Sequence, residues 1–493
     1  MTGSVRFVLG GRVVEVRDPD PATTVLQWLR ANGRPGSKEG CAEGDCGACT
    51  VVLGELAADG QGEGGRLRYR SVNACILFLP MIDGKLLLTV EDLASDEGEL
   101  HPVQAAMVTS HASQCGFCTP GFVMALFALY HTAPHTESAP KDDAIHDALA
   151  GNLCRCTGYR PILDAARAAT VDRQDDRFDR AEEGIVALLE SIRRDAALEV
   201  SGGGNSFHAP RTVDELAKLV AAHPQATLVA GATDVGLWVT KQGRCLGTLI
   251  HLAEVAELHR VAEHPDRLEV GAAVTYSELL PVLRRRLPEL ADLVGRIGAA
   301  QVRNSGTLGG NVANGSPIGD SMPALLALGA TLVLNRGGTR REVALDRFYH
   351  GYRKSDLKPG EFVERIRIPL PKPGQSFATW KVSKRRDQDI SAVCAAFLLT
   401  LDEGGLVTEL RTGYGGVAAT PARAAALEAA LAGQPWTADA VAAALPALDR
   451  DFQPITDMRA SDRYRALLAK NLLVRFHLST TGAAAPSLEA AHG

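Results

Sequence analysis

Apolar and polar positions alternate over residues 4–16, with Val5, Phe7 and Leu9 in one arm, Val14 and Val16 in the other, and Gly10 and Gly11 between them. A period of two interrupted by two glycines predicts a β-hairpin with a two-residue turn. A short helix should follow, with Val25, Leu26 and Leu29 on its inner face. A loop rich in glycine and cysteine comes next, then a strand over 49–53. Residues 54–66 are rich in Gly and Glu and read as a flexible loop insertion. Hairpin, helix, cysteine loop and strand in this order predict a small ferredoxin-like β-grasp domain over residues 1–95.

From about residue 100 the apolar period lengthens to that of a helix. Phe122, Val123, Leu126 and Phe127 fit one helix, Ile145, Ala148 and Leu149 a second, and Ile162, Leu163, Ala165 and Ala166 a third. Pro120 and Pro161 stand near helix starts, where a missing N–H costs little. An all-helical domain is expected over 96–172. Residues 172–183 are dominated by Asp, Glu and Arg, and Ile185, Leu188, Leu189 and Ile192 then repeat at helical spacing. The segment 173–198 therefore reads as a solvated linker entering an amphipathic helix. Ser201-Gly-Gly-Gly-Asn205 opens a region of mixed strands and helices, 199–374. A last α/β segment, 375–485, carries an Ala-rich helix over 421–431, and the final dozen residues read as a tail. No internal repeat is visible. The fold class is multidomain α+β.

Composition removes several function classes. The 493 residues carry a net charge of −6, which gives no nucleic-acid footprint. The longest apolar runs, 122–130 and 324–334, are shorter than a membrane span and read as buried helix or strand. The start, Met-Thr-Gly-Ser-Val-Arg-Phe-Val-Leu-Gly-Gly, lacks the apolar core of a signal peptide, so a cytoplasmic location is expected.

Chemistry concentrates in the cysteines. Of ten, eight lie before residue 157 in tight groups, while Cys245 and Cys394 stand alone and read as inert buried thiols. In a reducing compartment such groups favour metal over disulfides. Cys41-x4-Cys46-x2-Cys49, with Cys75 further on, has the plant-type [2Fe-2S] spacing. Three thiolates on one loop can wrap a compact anionic cluster, with Gly40, Gly44 and Gly47 letting the backbone curl and aim N–H groups at sulfur. Zinc more usually takes two separated pairs. The second group, Cys115-x2-Cys118 with Cys154-x-Cys156, fits zinc and iron–sulfur alike by spacing.

Its surroundings carry a resemblance. Gln-Cys-Gly-Phe-Cys-Thr-Pro-Gly over 114–121, Gly-Asn-Leu-Cys-Arg-Cys-Thr-Gly-Tyr-Arg-Pro-Ile over 151–162 and Glu-Gly-Cys-Ala-Glu-Gly-Asp-Cys-Gly-Ala-Cys over 39–49 closely resemble the two-cluster module of the xanthine dehydrogenase/aldehyde oxidase family. The resemblance covers 1–170 with all eight ligands present, departing only in 54–66. It implies a second [2Fe-2S] cluster on Cys115, Cys118, Cys154 and Cys156, in a helical bundle beside a molybdenum cofactor.

The second half has no GxGxxG after a strand, so a Rossmann site is not indicated. Leu-Val-Ala-Gly-Ala-Thr-Asp-Val-Gly over 228–236 runs from a strand into a glycine turn, which lets backbone N–H groups approach a pyrophosphate. Most such turns bind nothing. Gln-Val-Arg-Asn-Ser-Gly-Thr-Leu-Gly-Gly-Asn over 301–311, continuing to Asp320, is more specific. A structural glycine turn explains its glycines but not the Asn, Ser, Thr and Asp beside them.

Both segments resemble the FAD-binding domain of the same family, a vanillyl-oxidase-like fold. By position the resemblance implies a pyrophosphate loop of Leu228, Val229, Ala230, Gly231, Ala232, Thr233, Asp234 and Val235, with Thr307, Gly310, Asn311 and Asp320 further on. It also places Val363 and Lys381 at the flavin, and Ile297 where relatives often have an aromatic ring. The loop from Lys381 to Ile390 resembles the basic-acidic loop beside the flavin in the dehydrogenases, which would bring Lys384, Arg385, Arg386 and Asp387 to NAD. A solvated charged loop is its plain reading. Residues 413–417 and 457–461 resemble the family's α/β flavoprotein C-terminal domain.

Family members that act alone carry a long molybdopterin region after the FAD domain, and this sequence ends at 493 without it. The resemblance thus implies no catalytic residue here and a molybdopterin-binding large subunit as partner, in an (αβ)2 or higher heteromer. Electrons from the partner's molybdenum would pass through the two clusters to FAD and then NAD, during oxidation of hypoxanthine and xanthine to urate. Alternatives are a relative acting on an aldehyde, nicotinate or carbon monoxide, or a ferredoxin-type carrier with an inert second half.

Overall fold

The computed structural model describes residues 3–57, 66–132, 139–171 and 173–482. Within these the chain forms two units. One comprises residues from 1–219, 223–256 and 298–306, the other from 220–222, 257–297 and 307–493.

The first unit opens with the expected hairpin. Ser4–Leu9 pairs antiparallel with Arg12–Arg17, Leu9 opposite Arg12, and the turn glycines take φ of 57° and 73°. Positive φ at both turn positions matches the right-handed strand twist and is open to glycine at no steric cost. The five-stranded sheet runs Arg12–Arg17, Ser4–Leu9, Leu86–Leu88, Thr50–Leu56, Leu67–Asn73. Helix Val25–Ala31, started by a capping box of Thr24 and Gln27, buries Val25, Leu26 and Leu29. This is the β-grasp arrangement.

The loop-insertion reading of 54–66 is corrected. Gly54, Glu55 and Leu56 are strand residues facing Tyr69, Arg68 and Leu67. The Glu55 carboxylate takes Arg70 and Lys85 at 2.7 and 2.9 Å. Composition signalled a loop, but cross-strand charge pairing decides the structure. Residues 58–65 of that segment lie outside the described residues.

The helical part holds Pro102–Thr109, Thr119–Thr132, Asp142–Leu149 and Arg160–Thr170. The first was not expected, because it buries only Val103 and Met107 and so shows no sustained period. The solvated-linker reading is also corrected. Arg173, Asp176 and Phe178 are buried, and Arg177–Arg180 is a short helix. Asp176 Oδ1 accepts the N–H groups of Phe178 and Asp179, while Oδ2 meets His101 Nε2 at 2.6 Å and His131 Nε2 at 3.0 Å. Phe178, Ile185, Leu189 and Ile192 join the core of helix Thr119–Thr132. A second sheet in this unit, ordered Leu198–Gly202, Asn205–Ala209, Thr248–His251, Thr227–Val229, leads into helix Val235–Thr240. The buried-thiol reading is corrected at Cys245, which is exposed.

The second unit has a five-stranded sheet, Val261–Glu263, Arg267–Gly271, Phe362–Pro369, Thr331–Arg336, Thr339–Ala344, and a three-stranded antiparallel one, Gln375–Val382, Val393–Leu401, Val407–Gly415. The apolar run 324–334 resolves into the end of helix Ser321–Leu328, a left-handed Gly329 and strand Thr331–Arg336. The Ala-rich helix begins at Ala425 rather than 421, because Ala422 bridges to Tyr414. Residues 483–493 of the expected tail lie outside the described residues. Among those described, no helix is long and apolar enough to cross a membrane.

Candidate functional site

The first cysteine loop curls through positive φ at Ala42, Gly44 and Gly47, of 55°, 77° and 67°. A Cβ on Gly40 would stand 2.7 Å from Cys46 Sγ. This curl turns backbone donors inward, and Cys41 Sγ accepts the N–H groups of Glu43, Asp45 and Cys46 at 3.4, 3.3 and 3.3 Å. Cys49 and Cys75 are buried, Cys41 and Cys46 half-buried. Contact with the Cys46 and Cys75 thiols holds Cys41 far below the ordinary thiol range. The same contacts push Cys46 and Cys75 well above it. Four thiolates need cations between them, and a sulfur set with convergent N–H donors is the donor chemistry of a two-iron cluster.

The second set is shared between two loops of the helical part. Cys115 contacts Cys156, and Cys118 contacts Cys154. Burial, then Cys154, pushes the Cys118 thiol up to about 12. At Cys154 burial opposes ionisation, but Thr157 outweighs it, with Oγ1 at 3.1 Å and N–H at 3.4 Å from the sulfur. Tyr159, at φ 67°, accepts the Cys154 N–H on its hydroxyl at 2.9 Å. Cys115 and Cys156 are exposed, with Phe117 and Tyr159 exposed beside them.

A junction ties the two sets together, and sequence reasoning missed it. The Leu153 N–H donates to the Cys46 carbonyl at 3.0 Å. Asn152 Nδ2 donates to Gly47 O at 2.9 Å and Thr50 Oγ1 at 3.1 Å. A Cβ on Gly47 would meet Gly151 O at 2.1 Å, and one on Gly121 would meet Gly47 O at 2.2 Å. Cys46 and Cys154, one from each set, are therefore joined through one hydrogen bond and the Leu153 backbone.

The glycine turn after strand Thr227–Val229 belongs to the same unit. Gly231 leaves no room for a side chain, since a Cβ would lie 1.7 Å from Ser305 O, and Ala232 takes φ of 58°. Asp234 does not cap the following helix but accepts Trp238 Nε1 at 3.1 Å. That helix, Val235–Thr240, rests on the first cysteine loop. Gly236 lies against the Ile76 backbone, Thr240 Oγ1 donates to Ala42 O at 2.7 Å, and Lys241 Nζ donates to Cys41 O at 3.1 Å.

In the second unit, Thr307 caps helix Leu308–Asn314 by accepting the Gly310 N–H at 2.9 Å, and Asn311 Oδ1 accepts Ser321 Oγ at 2.6 Å. Asp320 is buried and takes Lys381 Nζ at 2.7 Å and Ser391 Oγ at 2.5 Å. Val363 is buried in strand Phe362–Pro369, and Ile297 lies half-buried against the same core. The loop at 384–389 is bonded within itself. Arg385 donates its N–H to Asp389 Oδ2 at 2.8 Å and its guanidinium to Gln388 O at 2.7 Å, while Lys384 Nζ reaches Met458 O at 3.0 Å. The Arg386 carbonyl accepts Arg296, and Asp387 lies near enough to Arg296 to act on its charge.

Four family descriptions match the chain in order: a 2Fe-2S iron-sulfur cluster binding domain over 7–79, a [2Fe-2S] binding domain over 89–167, the FAD binding domain in molybdopterin dehydrogenase over 200–371, and the CO dehydrogenase flavoprotein C-terminal domain over 378–480. The chain belongs to the molybdenum hydroxylase family. It is the electron-transfer iron–sulfur and FAD module of such enzymes. A xanthine dehydrogenase of Emericella nidulans is 32% identical over 96% of the chain, and one of Drosophila subobscura 34% over 85%. This module spans 38% and 35% of the lengths of those relatives. Among solved structures, a carbon monoxide dehydrogenase from Hydrogenophaga pseudoflava matches 55% of the module and 94% of its own chain, with a TM-score of 0.52 and 31% identity. A quinoline 2-oxidoreductase from Pseudomonas putida 86 matches 55% and 95%, at 0.50 and 26%.

Proposed function

We propose that the module serves a xanthine dehydrogenase, carrying electrons from a molybdenum cofactor on a molybdopterin-binding partner through the two cysteine sets to FAD and on to NAD. The bond from the Leu153 N–H to the Cys46 carbonyl carries this reading, because it gives the two sets a short through-bond connection. Iron–sulfur clusters at these sets would supply one-electron steps, and FAD would convert them into hydride transfer. The exposed cysteine set is where electrons would enter. Cys115 and Cys156 are exposed on one edge with Phe117 and Tyr159, which suits docking of the partner there. Helix Val235–Thr240, resting on the first cysteine loop, links the glycine turn at 228–235 to Cys41.

Identity over most of the chain to xanthine dehydrogenases supports the purine substrate. Likeness to carbon monoxide and quinoline enzymes supports a second reading, a molybdenum hydroxylase of another substrate. The test is turnover of the assembled complex with xanthine, hypoxanthine, quinoline and carbon monoxide, each with and without NAD under air and under argon. Urate formation that needs NAD under argon is the expected result. Peroxide formation at the same rate without NAD would overturn the NAD assignment, and turnover confined to another substrate would select the second reading.

A further inference from the structure

Gln301 opens the glycine-rich segment 301–311, and its side chain is turned to the junction between the two cysteine sets. It is 1% exposed, and Nε2 donates to Asn152 Oδ1 at 2.8 Å and lies 3.5 Å from Thr50 Oγ1. Among the described residues its Oε1 has no hydrogen-bond partner and lies where a Cβ on Gly151 would come within 2.0 Å. Its neighbours hold the same region. Arg303 pairs with Asp147, Asn304 Nδ2 donates to Ser71 O at 2.9 Å, and Arg70 donates to Asn304 O at 2.5 Å.

We infer that Gln301 is a positioning residue for electron exchange between the two cysteine sets, acting by fixing the amide of Asn152. The inference rests on the reading of those sets as iron–sulfur centres. Asn152 is 2% exposed and must present its NH2 to Gly47 O and Thr50 Oγ1. Turned over, it would set its carbonyl against that of Gly47. A buried amide keeps one orientation only if both ends are matched, and the Gln301 donor matches the Oδ1 end. The reverse orientation of Gln301 would oppose two carbonyls, which explains why its own Oε1 is left without a donor. With Asn152 fixed, Leu153 is held with its N–H on the Cys46 carbonyl. The step served is a single-electron transfer. A centre held by Cys115, Cys118, Cys154 and Cys156 would be oxidised and one held by Cys41, Cys46, Cys49 and Cys75 reduced, with no bond made and no proton moved.

The test uses the complete, cofactor-loaded chain with Gln301→Met, which keeps length and burial but donates nothing, and Gln301→Asn as a second variant should the first fail to fold. Hydrogen exchange at the Leu153 amide, followed by mass spectrometry, should quicken about ten-fold. Electron transfer between the centres, followed by rapid-freeze spin resonance, should slow about ten-fold, with iron content and both resonance signals retained. Unchanged Leu153 exchange would overturn the inference. Faster exchange with unchanged electron transfer would also overturn it, by leaving Gln301 a merely structural role. A wild-type chain that binds no iron would instead sink the iron–sulfur reading, and this inference with it.

Discussion

Lys381 Nζ lies 2.7 Å from Asp320 Oδ2, with both side chains buried. The ammonium also donates to Arg296 O at 3.0 Å, and the second carboxylate oxygen takes Ser391 Oγ. Both charges are therefore compensated within the fold. Lys381→Met should strand the Asp320 carboxylate and cost about 3–5 kcal/mol, and Asp320→Asn combined with Lys381→Met should recover most of that loss. Chemical denaturation of the three proteins checks it. A double variant as unstable as the single would mean that the pair is held by more than mutual neutralisation.

Gly47→Ala places a Cβ 2.1 Å from Gly151 O at a residue with φ of 67°. Backbone meets backbone there, so no rotamer relieves the clash. A loss of about 2–3 kcal/mol is expected, with less iron bound at the first set. Iron assay and thermal unfolding measure both. Gly98→Ala, also at positive φ but with nothing within 4 Å of the added Cβ, serves as the control for conformation alone.

Cys154→Ser should remove one reduced-cluster resonance and spare the other, because Cys41, Cys46, Cys49 and Cys75 remain intact. Iron content should fall from about four to about two per chain. Loss of both signals would show that the first set cannot assemble without the second.

Around Asp176 the buried groups titrate in opposite directions. Burial works against its charge, but hydrogen bonds from His101 and His131 hold the Asp176 carboxyl well below the usual range. Burial lowers His101, whereas at His131 the hydrogen bonds to Asp176 and Asp179 outweigh burial and raise it. Arg173, 3.2 Å from His131 Nδ1 and 2.8 Å from Asp179, completes the cluster. The raised His131 contributes stability fully present below about pH 6.5 and lost as pH rises through its folded value. His101 and Asp176 act in reverse, their contributions being lost as pH falls through their lowered values. The denaturation midpoint should therefore fall as pH rises above about 6.5, and His131→Gln should flatten that slope. A slope that survives in the variant would assign it elsewhere.

The convergence of the clustered cysteines was legible because its signal is residue type at fixed local spacing. Cys41, Cys46 and Cys49 share one loop, and Gly40, Gly44 and Gly47 are glycines for reasons visible in their collisions. The hairpin and the helices at Phe122, Ile145 and Ile162 were legible by periodicity. Contacts across long sequence separations were not. Asn152 and Gln301 stand 149 residues apart, and neither is unusual in composition. Asp176 hid within a run of charge, where composition reports an average but a single carboxylate meets two imidazoles. Glu55 was misread for the same reason, because a glutamate beside glycines signals a loop until its cross-strand arginine is known.

The bond between Asn152 and Gln301 also sets an order of manufacture. All eight clustered cysteines are synthesised by residue 156, but the donor to Asn152 is made much later. A nascent chain, or a fragment ending before residue 298, holds all eight clustered cysteines while the Asn152 carbonyl oxygen lacks its partner. Cofactor loading begun before that point would work on a junction whose amide is matched at one end only. Loading after release works on one already locked.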